Sequence, residues 1–287
     1  MFMRIRFSKY QALGNAYIVV PAGQGQPTTD EIRRLCDFRM GIGSDGVLLG
    51  PYPADDADFG LRIINPDGSE AEKSGNGLRI FCQYLYDHGL VSTAAFTIKT
   101  RGGIVQAQVF PERQLVRVAM GKVSFHSSDI PVNGPPREVL LEEIVLAGEK
   151  LAISCATIGN PHCVVLSDVA DEAPTEALAR RLGPLLENYA LFPNRSNVQF
   201  ARVIDRQNLQ LEIWERGAGY TYASGSSSCA AAAVVYKLGL VDAALTVHMR
   251  GGQIDISISP DFEVVMTGPV VSICSGLAEA STTEAGR

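Results

Sequence analysis

Hydrophobic and polar positions alternate in short runs along most of this chain. Ile5-Arg6-Phe7-Ser8-Lys9-Tyr10 alternates, and Ala16-Tyr17-Ile18-Val19-Val20 follows as a nearly continuous apolar run, so both predict strands, the second buried. Phe96-Thr97-Ile98-Lys99 and Val105-Gln106-Ala107-Gln108-Val109 read as strands turning at Gly102-Gly103, and Leu115 to Met120 as another. Further strands are expected at Leu151-Ala152-Ile153, at Gly159 to Val165, and within Leu209 to Tyr222. Helical spacing is rarer. Thr29-Asp30-Glu31 supplies a cap and early acidic residues for a short helix through Arg33, Leu35 and Cys36. Leu78 to Tyr86 and Cys229 to Leu238 read as largely apolar helices. Thr175 to Asn188 is amphipathic, with Leu178, Leu182 and Leu185 on one face and Arg180-Arg181 exposed. Many strands and few helices make this an α+β chain.

Composition excludes more than it selects. The 287 residues are 46% hydrophobic and 20% charged, an ordinary globular mixture long enough for two domains. The net charge of −6 with mixed signs, and no Lys/Arg-rich cluster, argue against a nucleic-acid partner. The most apolar run, Cys229 to Val235, is far too short to span a bilayer, and Met1 to Arg6 lacks the apolar core of a signal peptide. A cytoplasmic protein without membrane contact is the expectation. Six cysteines (Cys36, Cys82, Cys155, Cys163, Cys229, Cys274) stand singly and read as reduced thiols, mostly buried. The four histidines lie far apart, without metal-ligand spacing, so no metal site is expected.

The candidate chemistry begins at Asn65-Pro66-Asp67-Gly68-Ser69-Glu70-Ala71-Glu72-Lys73-Ser74-Gly75-Asn76-Gly77-Leu78-Arg79. A strand-like run, Gly60 to Ile64, enters this stretch and a helix leaves it. Glycines permit close approach of backbone to a ligand, and a helix start presents N–H groups that favour an anion. An ordinary capped helix after a turn reads the same way, and one copy does not decide between them. Gly41-Ile42-Gly43-Ser44-Asp45-Gly46 is also glycine-rich but lacks the Lys-Ser/Thr of a phosphate loop.

The motif occurs twice. Leu13-Gly14-Asn15-Ala16-Tyr17-Ile18-Val19-Val20 aligns with Ile158-Gly159-Asn160-Pro161-His162-Cys163-Val164-Val165. Arg62-Ile63-Ile64-Asn65 aligns with Glu212-Ile213-Trp214-Glu215, Ser74-Gly75 with Ser224-Gly225, and Gly89-Leu90-Val91 with Gly239-Leu240-Val241, each pair 150 residues apart. Arg101-Gly102-Gly103 then matches Arg250-Gly251-Gly252. Ordered anchors of this kind indicate two homologous, pseudo-twofold-related domains, each a strand-rich, barrel-like sheet around a central helix. The boundaries expected are residues 1–122 and 123–287, with the last strand, about 265–275, open to packing on the first half. Residues 123–140, with Pro131, Pro135 and Pro136, are the candidate crossover, and Gly276 to Arg287 reads as a solvated tail. Two helix N-termini facing one ligand would make a strong carboxylate site. Ser74 and Ser224 on opposite sides of one carbon would suit removal of a proton from one face and its return to the other, which inverts a stereocentre.

At these residues the chain strongly resembles the diaminopimelate epimerase family over nearly its whole length. The resemblance is carried by Glu70 to Arg79, by Glu215-Arg216-Gly217-Ala218-Gly219-Tyr220-Thr221-Tyr222-Ala223-Ser224-Gly225-Ser226, by Gly159-Asn160-Pro161-His162 and by Pro193-Asn194-Arg195-Ser196-Asn197. It implies a cofactor-independent, two-base amino-acid epimerase of lysine biosynthesis, taking LL- to meso-diaminopimelate, and usually a homodimer. By position, Asn65, Asn160, Asn197, Glu215 and Arg216 would hold the distal end of the amino-acid substrate, with Asn15 lining the same pocket. Gly75-Asn76 and Gly225-Ser226 would bind the reacting α-carboxylate through backbone N–H groups. His162 would approach the first base and Glu215 the second.

The departure is at the chemistry. Where the family carries its two catalytic cysteines, this chain has Ser74 and Ser224. A thiol ionises near ~8.5 and supplies a thiolate base, whereas a serine hydroxyl is a far weaker acid. Cys82 and Cys229 lie more than a helical turn downstream and do not substitute. Lys73, Tyr220, Tyr222 and Ser226-Ser227-Ser228 are further departures from the family pattern. Three readings follow: a family epimerase whose cysteines were replaced, a divergent isomerase or lyase that activates a serine toward another amino acid, or a catalytically silent ligand-binding homologue. The phenazine-biosynthesis and proline-racemase types share the duplicated architecture but would not be expected to keep the Asn/Glu/Arg set.

Overall fold

The computed structural model describes residues 3–166 and 173–280. Its chain divides into two compact units, one built from the residues up to Val118 together with those from Pro269 onward, the other from Ala119–Gly268.

In the first unit, β1 (Met3–Ala12) and β2 (Asn15–Val20) form an antiparallel hairpin closed at Leu13-Gly14, where φ is +57° and +88°. Two left-handed residues give the turn the twist that adjacent strands require. Helix α1 (Thr29–Cys36) follows, with a capping box made by Thr28 and Glu31, so the cap falls one residue before the expected Thr29. Strand β3 (Val47–Tyr52) lies parallel to β2, β4 (Phe59–Ile64) antiparallel to β3, and the short β5 (Glu70–Ala71) turns back on β4. Helix α2 (Gly75–Asp87) leads to β6 (Phe96–Thr100), β7 (Gly103–Phe110) and β8 (Leu115–Lys122), with β6 parallel to β4. Of α2, the ten residues Gly75–Cys82, Tyr84 and Leu85 are buried, so the helix is covered on nearly every side, as its apolar sequence requires.

The second unit repeats this order. Strands β9 (Glu142–Leu146), β10 (Glu149–Thr157) and β11 (Pro161–Leu166) are antiparallel neighbours, and helix α3 (Glu176–Glu187) precedes β12 (Asn197–Asp205), which lies parallel to β11. Strands β13 (Asn208–Glu215) and β14 (Gly219–Thr221) pair before helix α4 (Gly225–Lys237), then come β15 (Ala244–Met249), β16 (Gly252–Ile258) and β17 (Glu263–Pro269). As β6 does to β4, β15 lies parallel to β13. Helix α4 packs against β10, β11, β12, β13, β15 and β16, which wrap it. Both principal helices span 13 residues at the same 150-residue offset.

The duplication extends to single hydrogen bonds. Gly102 N–H donates to Glu72 C=O at 2.8 Å, and Gly251 N–H donates to Tyr222 C=O at 2.8 Å. Each helix ends alike: Leu90 N–H reaches Leu85 C=O at 2.9 Å and Leu240 N–H reaches Val235 C=O at 3.0 Å, behind left-handed Gly89 and Gly239.

Three expectations need correction. The segment 123–140 is no bare crossover, because Ile130, Val132 and Val139 are buried in the second unit's core beside Cys155, Leu182 and Phe200. Helix α3 buries Ala179, Leu182, Gly183 and Leu186, while Leu185 is 45% exposed, so its apolar face is rotated from the one expected. Its register is set by Trp214, since a Cβ on Gly183 would sit 2.5 Å from the indole. The solvated tail does not begin at Gly276: β18 (Val271–Ala280) runs antiparallel to β1 and pairs Phe7 with Gly276 and Met3 with Ala280. The remainder of that expected tail lies outside the described residues. Among the described residues, no helix is long and apolar enough to cross a membrane.

Candidate active site

Ser74 and Ser224 occupy the same structural place in their units, the N-cap of the principal helix. Both are extended, at φ −137°, ψ 119° and φ −143°, ψ 125°. Ser74 Oγ accepts from Gly77 N–H at 3.1 Å, and Ser224 Oγ from Ser227 N–H at 3.4 Å. A capping serine spends one lone pair on the helix and keeps its O–H to donate. The next residues, Gly75-Asn76 and Gly225-Ser226, are the first of each helix, where backbone N–H groups have no intrahelical acceptor and the helix dipole favours an anion.

Around Ser74 the first unit assembles a polar cluster. Tyr17, 7% exposed, places its hydroxyl 3.2 Å from Ser74 Oγ. Asn76 Nδ2 donates to Asn15 Oδ1 at 3.2 Å, and Arg79 Nη2 donates to Asn76 Oδ1 at 2.9 Å. The Arg79 side chain is fully buried, a cation set behind the first helical turn that strengthens the turn's pull on a carboxylate. Asp45 Oδ2 accepts from Ala16 N–H at 2.7 Å; burial raises its carboxyl above the usual range, against the pull of that N–H and of Asn15. Asn65 closes its own turn, its Nδ2 donating to Ser69 Oγ at 2.9 Å. Lys73 is half-buried immediately before the cap.

The second unit gathers the remaining expected residues. His162 is fully buried; Gln199 Nε2 donates to its Nδ1 at 3.1 Å, and its Nε2–H reaches Asn160 Oδ1 at 2.9 Å. Burial, and then the Arg216 charge, push its pKa down to about 3, so the ring is neutral near neutral pH. Asn160 Nδ2 also donates to Ser226 Oγ at 3.5 Å, the counterpart of Asn15 with Asn76. Asn197 ties the loop together: its Nδ2 donates to Pro161 C=O at 2.8 Å and its Oδ1 accepts from Arg216 N–H at 3.0 Å. Arg216 Nη1 donates to Asn194 C=O at 3.0 Å, and Glu215 stands half-buried at the end of β13. Tyr220 donates to Glu212 at 2.6 Å and lies under the Arg180 guanidinium, and Tyr222 lies under that of Arg250.

His162 and Glu215 both belong to the second unit, whereas Ser74 belongs to the first. Within the first unit, a side-chain hydrogen-bond partner of Ser74 is Tyr17, a residue that sequence reasoning treated only as part of a buried strand. Gln199, Arg79 and Glu187 were likewise missed. Gln199 had a signal, since it follows Asn197 by two along β12 and so shares its face. Glu187 is buried and accepts from Trp214 Nε1 at 2.8 Å, Gly217 N–H at 2.9 Å and Arg195 at 3.0 Å, which fixes the turn carrying Glu215 and Arg216. Cys82 and Cys229 are both fully buried, and burial pushes the Cys82 thiol far up, so Cys82 does not supply a thiolate.

The diaminopimelate epimerase family model matches this chain twice, over residues 7–126 and 154–273, one copy in each repeat. A protein of Nostoc sp. named diaminopimelate epimerase 2 is 54% identical over 274 residues, covering 95% of both chains. The diaminopimelate epimerase of Moorella thermoacetica is 38% identical, covering 95% of this chain and 98% of its own. Among solved structures, a hydroxyproline epimerase from Agrobacterium vitis superposes with a TM-score of 0.72 at 15% identity, covering 96% of this chain and 93% of that one. A phenazine biosynthesis protein of Bacillus anthracis gives 0.66 at 16%, covering 96% and 99%. At such identities these two establish the shared fold alone. From the twofold family match and the similarity to curated relatives, the chain belongs to the diaminopimelate epimerase family and is an amino-acid isomerase.

Proposed function

We propose that this protein epimerises diaminopimelate, inverting one α-carbon between the LL and meso forms by proton transfer on two faces, without a cofactor. The observation that carries the reading is the repetition of one device. Each unit ends a strand–turn unit in a serine that caps a buried 13-residue helix, with Gly-Asn or Gly-Ser at the first turn. In this reading Gly75, Asn76, Gly225 and Ser226 hold the α-carboxylate through backbone N–H groups. Ser74 and Ser224 are the proton-transfer pair, His162 and Glu215 support the charge changes around them, and Asn15, Asn65, Asn160, Asn197, Glu215 and Arg216 hold the distal zwitterion. A carboxylate there meets Arg216 and amide N–H groups, and an ammonium meets Glu215. We propose further that the protein is cytoplasmic and works as a homodimer.

Hydroxyls in place of thiols lower the acidity available to the reaction, so turnover should be slower than with cysteine. The deciding experiment is proton NMR of LL- and meso-diaminopimelate with the protein in D2O. Loss of the α-proton signal with interconversion of the isomers supports the reading. Binding without exchange overturns it in favour of a ligand-binding homologue, and release of ammonia from the substrate overturns it in favour of a lyase.

A further inference from the structure

Tyr17 and His162 are the same residue of the duplicated unit. They sit at matching places in Leu13–Val20 and Ile158–Val165, each two positions after an asparagine that bonds the first turn of its helix. Their surroundings differ in a coordinated way. Strand register sets His162 beside Asn197, and continuing the β2–β3 register by one residue sets Tyr17 beside Gly46. A Cβ on Gly46 would fall 2.6 Å from Tyr17 Cε1, so the missing side chain is the space the phenol ring occupies. Two residues on, Gln199 in β12 donates to Ser227 Oγ at 3.0 Å, whereas Leu48 in β3 packs 3.2 Å from where Gly77 would carry a Cβ. The second unit therefore runs its ring through Gln199 to Ser227. The first unit, apolar at the equivalent positions, brings its ring directly to the cap serine.

We propose that Tyr17 is the positioning residue for Ser74, holding its Oγ so that the serine hydrogen faces the substrate and supporting the charge left when that hydrogen departs. A hydroxyl has one hydrogen and two acceptor sites. Gly77 N–H fills one site of Ser74, and with Tyr17 as the donor of the 3.2 Å hydroxyl pair a phenol hydrogen fills the other. The Ser74 O–H is then the atom left to point outward. When its proton passes to the substrate α-carbon, the O–H bond breaks, a C–H bond forms, and the electron pair remains on Oγ between two donors. In the reverse direction the proton returns from carbon to Oγ, and water exchanges it. Two donors on a developing alkoxide are the arrangement that stabilises an oxyanion. A phenol buried to 7% exposure needs hydrogen-bond partners, and the cap serine of the helix is one that it meets.

The inference rests on the epimerase reading for its role, but the pairing itself is testable without turnover. In a Cys274→Ser background, which removes the exposed native thiol, Ser74→Cys places a thiol beside Tyr17. Its alkylation by iodoacetamide, mapped by peptide mass spectrometry, reads the stabilisation of the thiolate. Adding Tyr17→Phe should slow alkylation by about tenfold or more, the size of one hydrogen bond to a charged sulfur; an unchanged rate overturns the pairing. In D2O with the two diaminopimelate isomers, Tyr17→Phe on the serine protein should slow α-proton wash-out from the same isomer that Ser74→Ala affects most. Ser224→Ala should mark the other. Equal slowing of both isomers, or a change in KM alone, overturns the positioning role. A serine protein that exchanges no α-proton defeats the epimerase reading and with it the role, while the alkylation rate still decides the contact.

Discussion

Glu187 Oε1 accepts from the backbone N–H of Gly217 at 2.9 Å, across 30 residues of sequence, while its Oε2 accepts from Trp214 Nε1. The carboxylate lies at the end of α3 with its side chain 7% exposed, and Arg195, itself 54% exposed, supplies the counter-charge. One buried group thus holds Trp214 and Gly217, the residues on either side of Glu215 and Arg216. Removing it leaves an indole N–H and a backbone N–H without their acceptor. Glu187→Ala should cost about 2–4 kcal/mol in urea unfolding, and it should raise KM for diaminopimelate more than it lowers kcat. The chain has one tryptophan, so the loss of the Trp214 bond should also shift its fluorescence emission. Glu187→Gln, which retains an acceptor, should cost less.

The chemistry of the cap positions gives a second prediction. The cap geometry at Ser74 and Ser224 differs from a thiol site by one atom on each side chain, and the surrounding Gly77 and Ser227 N–H groups are already aimed at it. Ser74→Cys combined with Ser224→Cys should therefore raise diaminopimelate turnover by orders of magnitude, since each unit of acidity is worth about 1.4 kcal/mol. The cost in stability should be about 1 kcal/mol or less per cap. A double variant as slow as the serine protein in the NMR assay would point to a different substrate.

How much of this was legible in the sequence depended on whether the relevant signal was local. The duplication was legible because glycines and caps at fixed offsets mark turns that side chains elsewhere cannot replace, and the paired Gly102 and Gly251 hydrogen bonds bear it out. The two principal helices were legible as apolar runs with a Ser-Gly at each start, and the helices begin there, at Gly75 and Gly225 behind the caps Ser74 and Ser224. The face of α3 was misjudged because its leucine periodicity competes with a contact that sequence spacing does not contain, the Trp214 ring over Gly183. The Tyr17 partnership was present in the aligned repeats, where it stands opposite His162. Tyr17 is buried in an apolar strand and reads as core; the hydroxyl contact with Ser74 is tertiary and leaves no local mark in the sequence.

Gly46 offers a test of that partnership from the opposite side. A methyl group there would lie 2.6 Å from Tyr17 Cε1 and 2.8 Å from Ile64 C=O, and the second contact is with backbone that cannot swing away. Gly46→Ala should destabilise the first unit by about 1–3 kcal/mol and displace the phenol. Its turnover defect should resemble that of Tyr17→Phe, and combining the two should add little to the loss of rate. Additive losses, measured as kcat/KM on diaminopimelate, would mean the glycine serves packing alone.

His162 yields a prediction in pH. Its pKa falls from the ordinary 6.5 to about 3 because the ring is buried, and the Arg216 charge adds to the effect, while the hydrogen bond to Gln199 opposes it. Between those values the unfolded chain binds a proton at this ring and the folded chain does not. Folding therefore carries the full benefit of a neutral His162 above about pH 6.5. That benefit is lost progressively as pH falls toward 3, at up to about 1.4 kcal/mol per pH unit. His162→Gln keeps an amide able to donate to Asn160 and removes the titration. Urea midpoints measured at pH 7, 5.5 and 4.5 should show the wild type losing stability faster than the variant below about pH 6, with carboxylate contributions common to both. Parallel curves would mean that His162 takes up its proton in the folded protein, which the buried contacts with Asn160 and Gln199 and the adjoining Arg216 charge oppose.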